Sequence, residues 1–224
     1  MKKSLQSLLF VSVLSLSLHG ELVKTYFQYG ELKSETNYVD GTNTEIAVGI
    51  KNGIEKVYYE MGALAYTVNY TNDKRDGKLT WFDKKGYKLA DMFYKDGKLE
   101  GLERSYYENG QVKHQVMYIN DMKEGKQEEF YDNGLLASTV VYKHNKKEGM
   151  QKEYTLQRKL YTQVLYKNNY KEGRQEWYDE NGKVINSIFY KMDRPINVMK
   201  KVQTKKEVPS VLIKGIDFSP KKPE

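Results

Sequence analysis

The stretch from residue 101 to residue 125, GLERSYYENGQVKHQVMYINDMKEG, is one unit of a repeat and decides the fold. It begins and ends on a glycine, and the same step of 24 residues recurs along the chain. The glycines that keep this step are Gly53, Gly77, Gly101, Gly125, Gly149 and Gly173. A fixed period of this length is typical of repeat proteins, whose units stack into an elongated array.

Two aromatic positions keep the same period, and we number positions by their distance from the leading glycine of a unit. Position +5 is aromatic in each unit: Tyr58, Phe82, Tyr106, Phe130, Tyr154 and Tyr178. Position +17 is tyrosine in each unit: Tyr70, Tyr94, Tyr118, Tyr142, Tyr166 and Tyr190. With 20 tyrosines and a mean hydropathy of −0.78, the chain is expected to bury amphipathic rings in a thin structure.

Each unit predicts one β-hairpin. In the quoted unit, residues 108–110 (ENG) are a turn signal between two strand-like runs, and the second run alternates in side-chain character with a period of two. The glycine that ends the loop supplies a positive φ at low cost. A three-residue loop pairs Tyr106 at +5 with Val112 at +11. We expect positions +13, +15 and +17 to share the face of that pair, and position +6 to lie on the opposite face.

The sequence therefore predicts an all-β fold, an elongated antiparallel meander or solenoid of about seven hairpins over residues 21–190. A partial first unit holds Tyr26, Gly30, Leu32 and Tyr38 in phase. Eight extra residues follow it and predict a bulged loop around residues 41–44.

The turn of the sixth hairpin departs from the pattern. Arg158 replaces the loop glycine there, and the four residues 155–158 carry no clear turn chemistry. We expect a distorted hairpin at this place.

The first 20 residues predict a signal peptide. Two lysines follow Met1, and the apolar run from Leu8 to Leu18 is too short to span a bilayer comfortably. We therefore expect export to the periplasm or secretion, with an uncleaved N-terminal anchor helix as the alternative. The chain has no cysteine, which excludes a lipid anchor on cysteine and a disulfide framework.

The net charge of +7 belongs to the ends of the chain. Residues 21–190 hold 26 basic and 26 acidic side chains, so the array shows no basic excess that would indicate nucleic acid. Residues 191–224 hold nine basic and four acidic side chains and are predicted to be a basic C-terminal tail. This tail could be solvated, could add residues 208–218 as a strand to the open sheet edge, or could be attracted to an anionic membrane.

The inventory of reactive side chains argues against an enzyme. The chain has three histidines, His19, His114 and His144, and no cysteine to assist them. The carboxylates recur in register at turns, as at Glu108 and Asp132, whereas acid–base catalysis needs two carboxylates in different environments. We expect no catalytic residue, no cofactor and no metal.

Aromatic side chains are the candidate binding residues. The rings at +5 and +17 are assigned to the core. The second aromatic of three units, at +6, is predicted to be exposed, so that Tyr59, Tyr107 and Tyr131 could stack on sugars or bind a partner segment. Trp81 and Trp177, both at +4, complete the predicted partner-binding set.

The consensus G-x-x-x-x-Y-Y-x-N-G-x-(L/V)-x-x-x-x-x-Y resembles the MORN-repeat variant of many bacterial proteins, and the resemblance runs from Tyr26 to Tyr190. It implies an array of antiparallel hairpins linked to protein or membrane attachment. Some proteins with such repeats are named antitoxins of the YwqK family. Units of the family often carry Trp at +2, where this chain has Glu55, Leu79, Glu103, Gln127, Gln151 and Gln175.

The favoured function is that of an exported binding or scaffold module for another macromolecule, with a protein as the first choice of partner. A cell-envelope glycan such as peptidoglycan is the alternative partner, because hairpin repeats with aromatic and glycine residues occur in wall-binding modules. Toxin neutralisation and membrane association through the tail are further alternatives. The sequence does not identify the partner or the oligomeric state.

Overall fold

The computed structural model describes residues 21–39 and 49–198, and every regular element in these ranges is a β-strand. The strands are β1 (Glu21–Tyr26), β2 (Leu32–Val39), β3 (Ile50–Tyr58), β4 (Leu64–Thr71), β5 (Lys74–Phe82), β6 (Lys88–Lys95), β7 (Lys98–Leu99), β8 (Gly101–Tyr106), β9 (Val112–Ile119), β10 (Met122–Phe130), β11 (Leu136–Lys143), β12 (Lys146–Lys147), β13 (Gly149–Tyr154), β14 (Leu160–Lys167), β15 (Tyr170–Tyr178), β16 (Val184–Lys191) and β17 (Arg194–Val198).

All 17 strands belong to one sheet, and every pairing in it is antiparallel. Strands β7 and β8 both pair with β6, and β12 and β13 both pair with β11, so each couple forms one interrupted strand. Within the described ranges β1 pairs with β2 alone and β17 with β16 alone, which leaves the sheet open. The predicted meander of seven hairpins is confirmed.

The sheet continues beyond the predicted end of the array. Strand β17 pairs with β16 inside the segment predicted to be a tail. The predicted signal peptide, the loop around residues 41–44 and the strand proposed for residues 208–218 lie outside the described residues.

Each hairpin has a bulge next to its loop, and the extra residue, at +12, places positions +13, +15 and +17 on the face opposite the +5 ring. In hairpin β8/β9, Ser105 pairs with His114 while Tyr106 pairs with Val112, so the predicted pairing of +5 with +11 is confirmed. The expectation that this pair shares a face with +13, +15 and +17 is wrong. The hydroxyl of Tyr106 donates to Oδ2 of Asp91, at +14, over 2.7 Å. The extra residue of the bulge interrupts the alternation of side chains between faces.

One face of the sheet, the core face, carries positions +2, +4, +13, +15 and +17. Its most buried side chains come from +2 and +15, where Val68, Leu79 and Val116 are at most 1% exposed. Val68 pairs with Leu79, and Leu79 pairs with Met92 on its other side, so the core runs across the strands. A single layer thus has a core only one row of side chains deep.

The other face, the outer face, carries positions +1, +3, +5, +14, +16 and +18. Positions +3 and +14 pair within each hairpin and between hairpins, which produces a continuous polar line across the sheet. Its members are Lys24, Glu35, Lys56, Thr67, Thr80, Asp91, Arg104, Gln115, Glu128, Thr139, Lys152, Gln163, Glu176 and Ser187.

The leading glycine allows the close approach of successive hairpins. Gly101 has φ +118°, and a Cβ added there would lie 3.1 Å from Cβ of Phe93, at +16 of the preceding unit. Gly125 has φ +79° with nothing within 4 Å of an added Cβ. A glycine therefore recurs every 24 residues because each unit has a positive φ there, and in some units a side chain would also meet a neighbouring residue.

Gly101→Ala is expected to lower the free energy of unfolding by about 2–3 kcal/mol, because backbone strain and the contact with Phe93 act together. Gly125→Ala is expected to cost about 1 kcal/mol, from the positive φ alone. Urea denaturation followed by circular dichroism measures both changes. Equal losses in the two variants would contradict a steric role for Gly101.

From β4 onward, two-residue turns join each hairpin to the strand that follows it, and we call these turns connectors. In one of them Asn120 and Asp121 have φ of 49° and 65°. Oδ1 of Asp121 accepts a hydrogen bond from the backbone N of Leu99 at 2.7 Å, and Oε2 of Glu100 accepts one from the backbone N of Asn120 at 2.8 Å. The same contacts recur at later connectors, so the carboxylates that precede leading glycines tie one connector to the next.

The sixth hairpin keeps the turn of the others. Arg158 adopts φ 62°, and its backbone N donates to the carbonyl oxygen of Thr155 at 2.9 Å. Gly134 makes the same contact with Tyr131 at 2.9 Å. The expectation of a distorted hairpin is wrong, because the arginine takes the left-handed conformation that glycine takes elsewhere.

Candidate functional site

The tyrosines predicted to bind a partner lie at the hairpin loops and connect one hairpin to the next. The hydroxyl of Tyr59 donates to the carbonyl oxygen of Phe82 at 2.9 Å. Those of Tyr107 and Tyr131 make the same contact with the following hairpin at 2.7 Å. All three rings are half-buried, which corrects the expectation of an exposed row. Their role in binding stays a prediction.

Tyr107→Phe is expected to lower the free energy of unfolding by about 1 kcal/mol, because it removes the hydroxyl that bonds to the next hairpin and keeps the ring. Phe27 occupies the same position in the first hairpin, so the change has a natural precedent in this chain. Thermal unfolding of the two proteins measures the difference. A change below 0.3 kcal/mol by that measurement would show that the hydrogen bond is replaced by water at about equal free energy.

The two tryptophans lie on the core face and far from each other. The ring of Trp81 packs on Tyr66 with centroids 4.6 Å apart and an interplanar angle of 50°. Trp177 pairs with Thr162, and both tryptophans are half-buried. Eight strand spacings separate β5 from β15, about 38 Å. The structure therefore does not bring the predicted aromatic residues together in one site.

The core face carries a ladder of cations and tyrosines that the sequence reasoning missed. Two residues before a leading glycine stands Lys or Arg in five units, with its charge over the ring at +17 of the unit that follows. Lys147 lies 4.8 Å from the ring of Tyr166, and its Nζ donates to Oε1 of Gln151 at 3.0 Å. The other pairs are Lys51 with Tyr70, Arg75 with Tyr94, Lys123 with Tyr142, and Lys171 with Tyr190. These contacts stabilise the array internally.

The ladder is interrupted in the unit that begins at Gly101. Leu99 replaces the cation, and Glu103 at +2 is left without the lysine that its counterparts contact. Burial raises the pKa of Glu103, against a weaker opposing effect of its hydrogen bond with Tyr118. Burial likewise raises the pKa of Tyr118.

The outer face carries a row of exposed apolar side chains, the apolar row, at position +16 of five successive units. Their exposed fractions lie between 38% and 42%. The row consists of Phe93, Met117, Val141, Leu165 and Phe189. The row was overlooked in the sequence because the alternation of the second strand was the only pattern noted there. The signal was present, because apolar residues recur at +16 with the full period.

Exposed basic residues run beside the apolar row at positions +18 and +21, and we call them the basic row. Lys95 pairs directly with Lys98, and Lys143 pairs with Lys146. The remaining members are Lys74, Lys167, Lys191 and Arg194. Like charges directly opposite each other destabilise a sheet, so this pattern costs stability without a visible gain in folding.

Between those two lysine pairs the basic row is interrupted by apolar residues. Ile119, which is 44% exposed, pairs there with Met122. The apolar row and the basic row together form a band on the outer face, with an apolar centre between two basic segments.

The two histidines in the described part of the chain, His114 and His144, do not form a site. His114 is half-buried in β9, with Nδ1 3.3 Å from Oγ of Ser105, and burial together with Lys123 and Lys113 lowers its pKa to about 4. His144 is exposed in a connector. In residues 21–39 and 49–198 no cluster of three or more metal-binding side chains occurs. Across the same ranges no helix has the length and apolar character needed to cross a membrane.

Comparison with known families shows which type of repeat the units match. The family model described as MORN repeat variant matches residues 51–72, 99–120, 123–144 and 171–192, all in the same phase of the period. The resemblance of the repeats is confirmed. No curated protein matches the sequence. A porin-like protein from Bacteroides uniformis ATCC 8492 has 10% identity over 72% of this chain and 91% of its own, with a TM-score of 0.21, which supports no argument.

Proposed function

Because the chain is a MORN-repeat variant protein, we propose that it is a non-catalytic binding module that holds a partner protein along its extended sheet. The predicted signal peptide supports a location in the periplasm or outside the cell. Toxin neutralisation, which the resemblance to YwqK proteins implies, stays a prediction.

The observation that carries the proposal is the apolar row. A single-layer sheet can bury apolar side chains on its core face, yet this sheet also presents Phe93, Met117, Val141, Leu165 and Phe189 to solvent. Exposed apolar side chains that recur in register across a sheet indicate a candidate interaction site on a protein surface. Its repetition in five hairpins gives a partner one long contact surface.

The character of the row favours a protein over a glycan. Binding of sugars by such repeats relies on open aromatic rings, whereas the three central residues of the row, Met117, Val141 and Leu165, are not aromatic. The tyrosines that could serve as sugar platforms are half-buried, and their hydroxyls are engaged with the next hairpin. A peptidoglycan partner is therefore tested as the competing outcome.

The test compares two triple variants in a pull-down from cell-envelope extract. The first replaces Met117, Val141 and Leu165 of the row by serine. The matched control replaces Tyr29, Met61 and Leu156, which are also exposed but lie at hairpin loops, by serine. We expect a protein that binds the wild type and the control equally and binds the row variant at least tenfold more weakly.

Equal retention of that protein by both triple variants would contradict the proposal. The proposal would also be contradicted by a second result, in which no protein is retained and purified peptidoglycan binds the wild type but not the row variant.

A further inference from the structure

The basic row indicates what kind of partner the band fits. Lys95, Lys98, Lys143 and Lys146 are exposed, and none of them takes part in the ion pairs found among residues 21–39 and 49–198. The four lysines form two cross-strand pairs, Lys95 with Lys98 and Lys143 with Lys146. Each pair places like charges directly opposite each other, an arrangement that a partner of opposite charge would relieve.

We propose that the partner presents an acidic amphipathic helix, which lies across the strands with apolar side chains on the apolar row and carboxylates on the basic row. This inference rests on the proposed binding function and adds the chemistry of the partner.

The spacing of the row suits a helix. Each hairpin contributes two strands, so successive side chains of the row are about 9.6 Å apart. Residues seven apart on an α-helix are separated by about 10.5 Å and lie on nearly the same side. A helix with apolar residues at heptad spacing therefore meets successive members of the row.

The interruption of the basic row makes the expectation more specific. The pair of Lys95 and Lys98 and the pair of Lys143 and Lys146 are two hairpins apart, about 19 Å, with Ile119 and Met122 between them. On a helix this distance corresponds to about 13 residues by rise alone, and about 14 residues, two heptads, is the nearest larger spacing that keeps both positions on one side. The partner helix should carry two acidic clusters at that separation around an apolar centre.

A polypeptide suits the band better than a lipid surface. No side chain of the apolar row is more than 42% exposed, so none projects as a wedge into a bilayer, where binding helices bury their apolar face by about 5–10 Å. Carboxylates interrupt the band as well, because Glu124 pairs with Met117 and Glu172 pairs with Leu165. A helix can place apolar or basic side chains opposite these carboxylates, whereas a continuous layer of anionic headgroups cannot.

The experiment measures binding of synthetic helical peptides to the full chain by fluorescence anisotropy. One peptide of four heptads carries leucine at the apolar positions and two glutamate clusters about 14 residues apart, and a second carries lysine in place of glutamate. We expect the glutamate peptide to bind at least tenfold more tightly than the lysine peptide, with weaker binding at higher salt.

Two double variants locate the contact. Lys143→Ala with Lys146→Ala is expected to weaken binding of the glutamate peptide at least fivefold. Lys85→Ala with Lys183→Ala removes the same charge at the hairpin loops and is expected to change binding less than twofold. Neither pair is buried, so both variants should fold, which circular dichroism verifies.

Equal binding of the two peptides, or equal effects of the two double variants, would overturn the inference. So would band-dependent binding to vesicles of phosphatidylglycerol and phosphatidylcholine without binding of the glutamate peptide. Loss of the natural partner in the serine variant of the row would still support the proposed function in those cases, so the two claims fail separately.

Discussion

Replacing Leu79 by alanine is expected to lower the free energy of unfolding by about 2–5 kcal/mol. Leu79 is 1% exposed and lies between Val68 and Met92 on neighbouring strands. Because the core is one row of side chains deep, no second layer can move in to fill the cavity. Urea denaturation followed by the fluorescence of Trp81, on the same strand, measures the loss.

Leu165→Ala is the matched control for this change. It removes the same atoms from the same sheet, but Leu165 belongs to the apolar row and is 38% exposed. We expect a loss of stability below about 0.5 kcal/mol. A loss as large as that of Leu79→Ala would mean that the outer face is packed in solution, and would contradict its description as an open surface.

Replacing Asp91 by asparagine is expected to destabilise the protein by about 2–3 kcal/mol at pH 7. The carboxylate is 5% exposed and accepts hydrogen bonds from the hydroxyls of Thr80 at 2.9 Å and Tyr106 at 2.7 Å. Nζ of Lys78 and of Lys88 lie 3.1 Å and 3.2 Å from it. Asparagine cannot compensate both ammonium groups. Asp132→Asn, at an exposed loop, is the control and should change stability by less than about 0.5 kcal/mol.

The effect of Asp91 depends on pH in a defined direction. Burial opposes ionisation of this carboxyl, but hydrogen bonds from Tyr106, Thr80 and the two lysines outweigh it and lower the pKa of Asp91. A lowered pKa in the folded state gives stability that is present above the pKa of the unfolded chain, about 3.9, and is lost as pH falls through the folded-state pKa.

The difference in unfolding free energy between the wild type and Asp91→Asn should therefore shrink below about pH 4. Denaturation curves between pH 7 and pH 2.5 measure it. A difference that stays constant over this range would show that the charge of Asp91 does not contribute to folding.

The period of the sequence predicted the hairpins, the loop glycines and the open meander, because each depends on local patterns that recur in every unit. It did not predict on which face of the sheet each aromatic ring lies. The extra residue in β9, Lys113, puts positions +13, +15 and +17 on the face opposite the +5 ring, and nothing in the alternation of side chains signals one extra residue. The turn at Arg158 was misjudged for a related reason, because the pairing of the flanking strands fixes its backbone whatever residue stands there.

Counting charges predicted an array without basic character, and the count of 26 basic and 26 acidic residues is correct. It does not locate the charges. Carboxylates such as those of Glu100 and Asp121 accept hydrogen bonds from backbone N–H groups at or beside the connectors. Lys143 and Lys146, in contrast, are exposed on the outer face. The basic row follows from the strand pairing, which a composition cannot give.

The most direct test of the apolar row as the partner-binding surface is site-specific photo-crosslinking in living cells. A photoreactive residue is placed at Leu165 in the row or at Leu156, a hairpin-loop position that is 45% exposed. We predict a discrete adduct with one partner protein from position 165 and none from position 156. Adducts of equal yield at both positions, or an adduct from position 156 alone, would contradict the account.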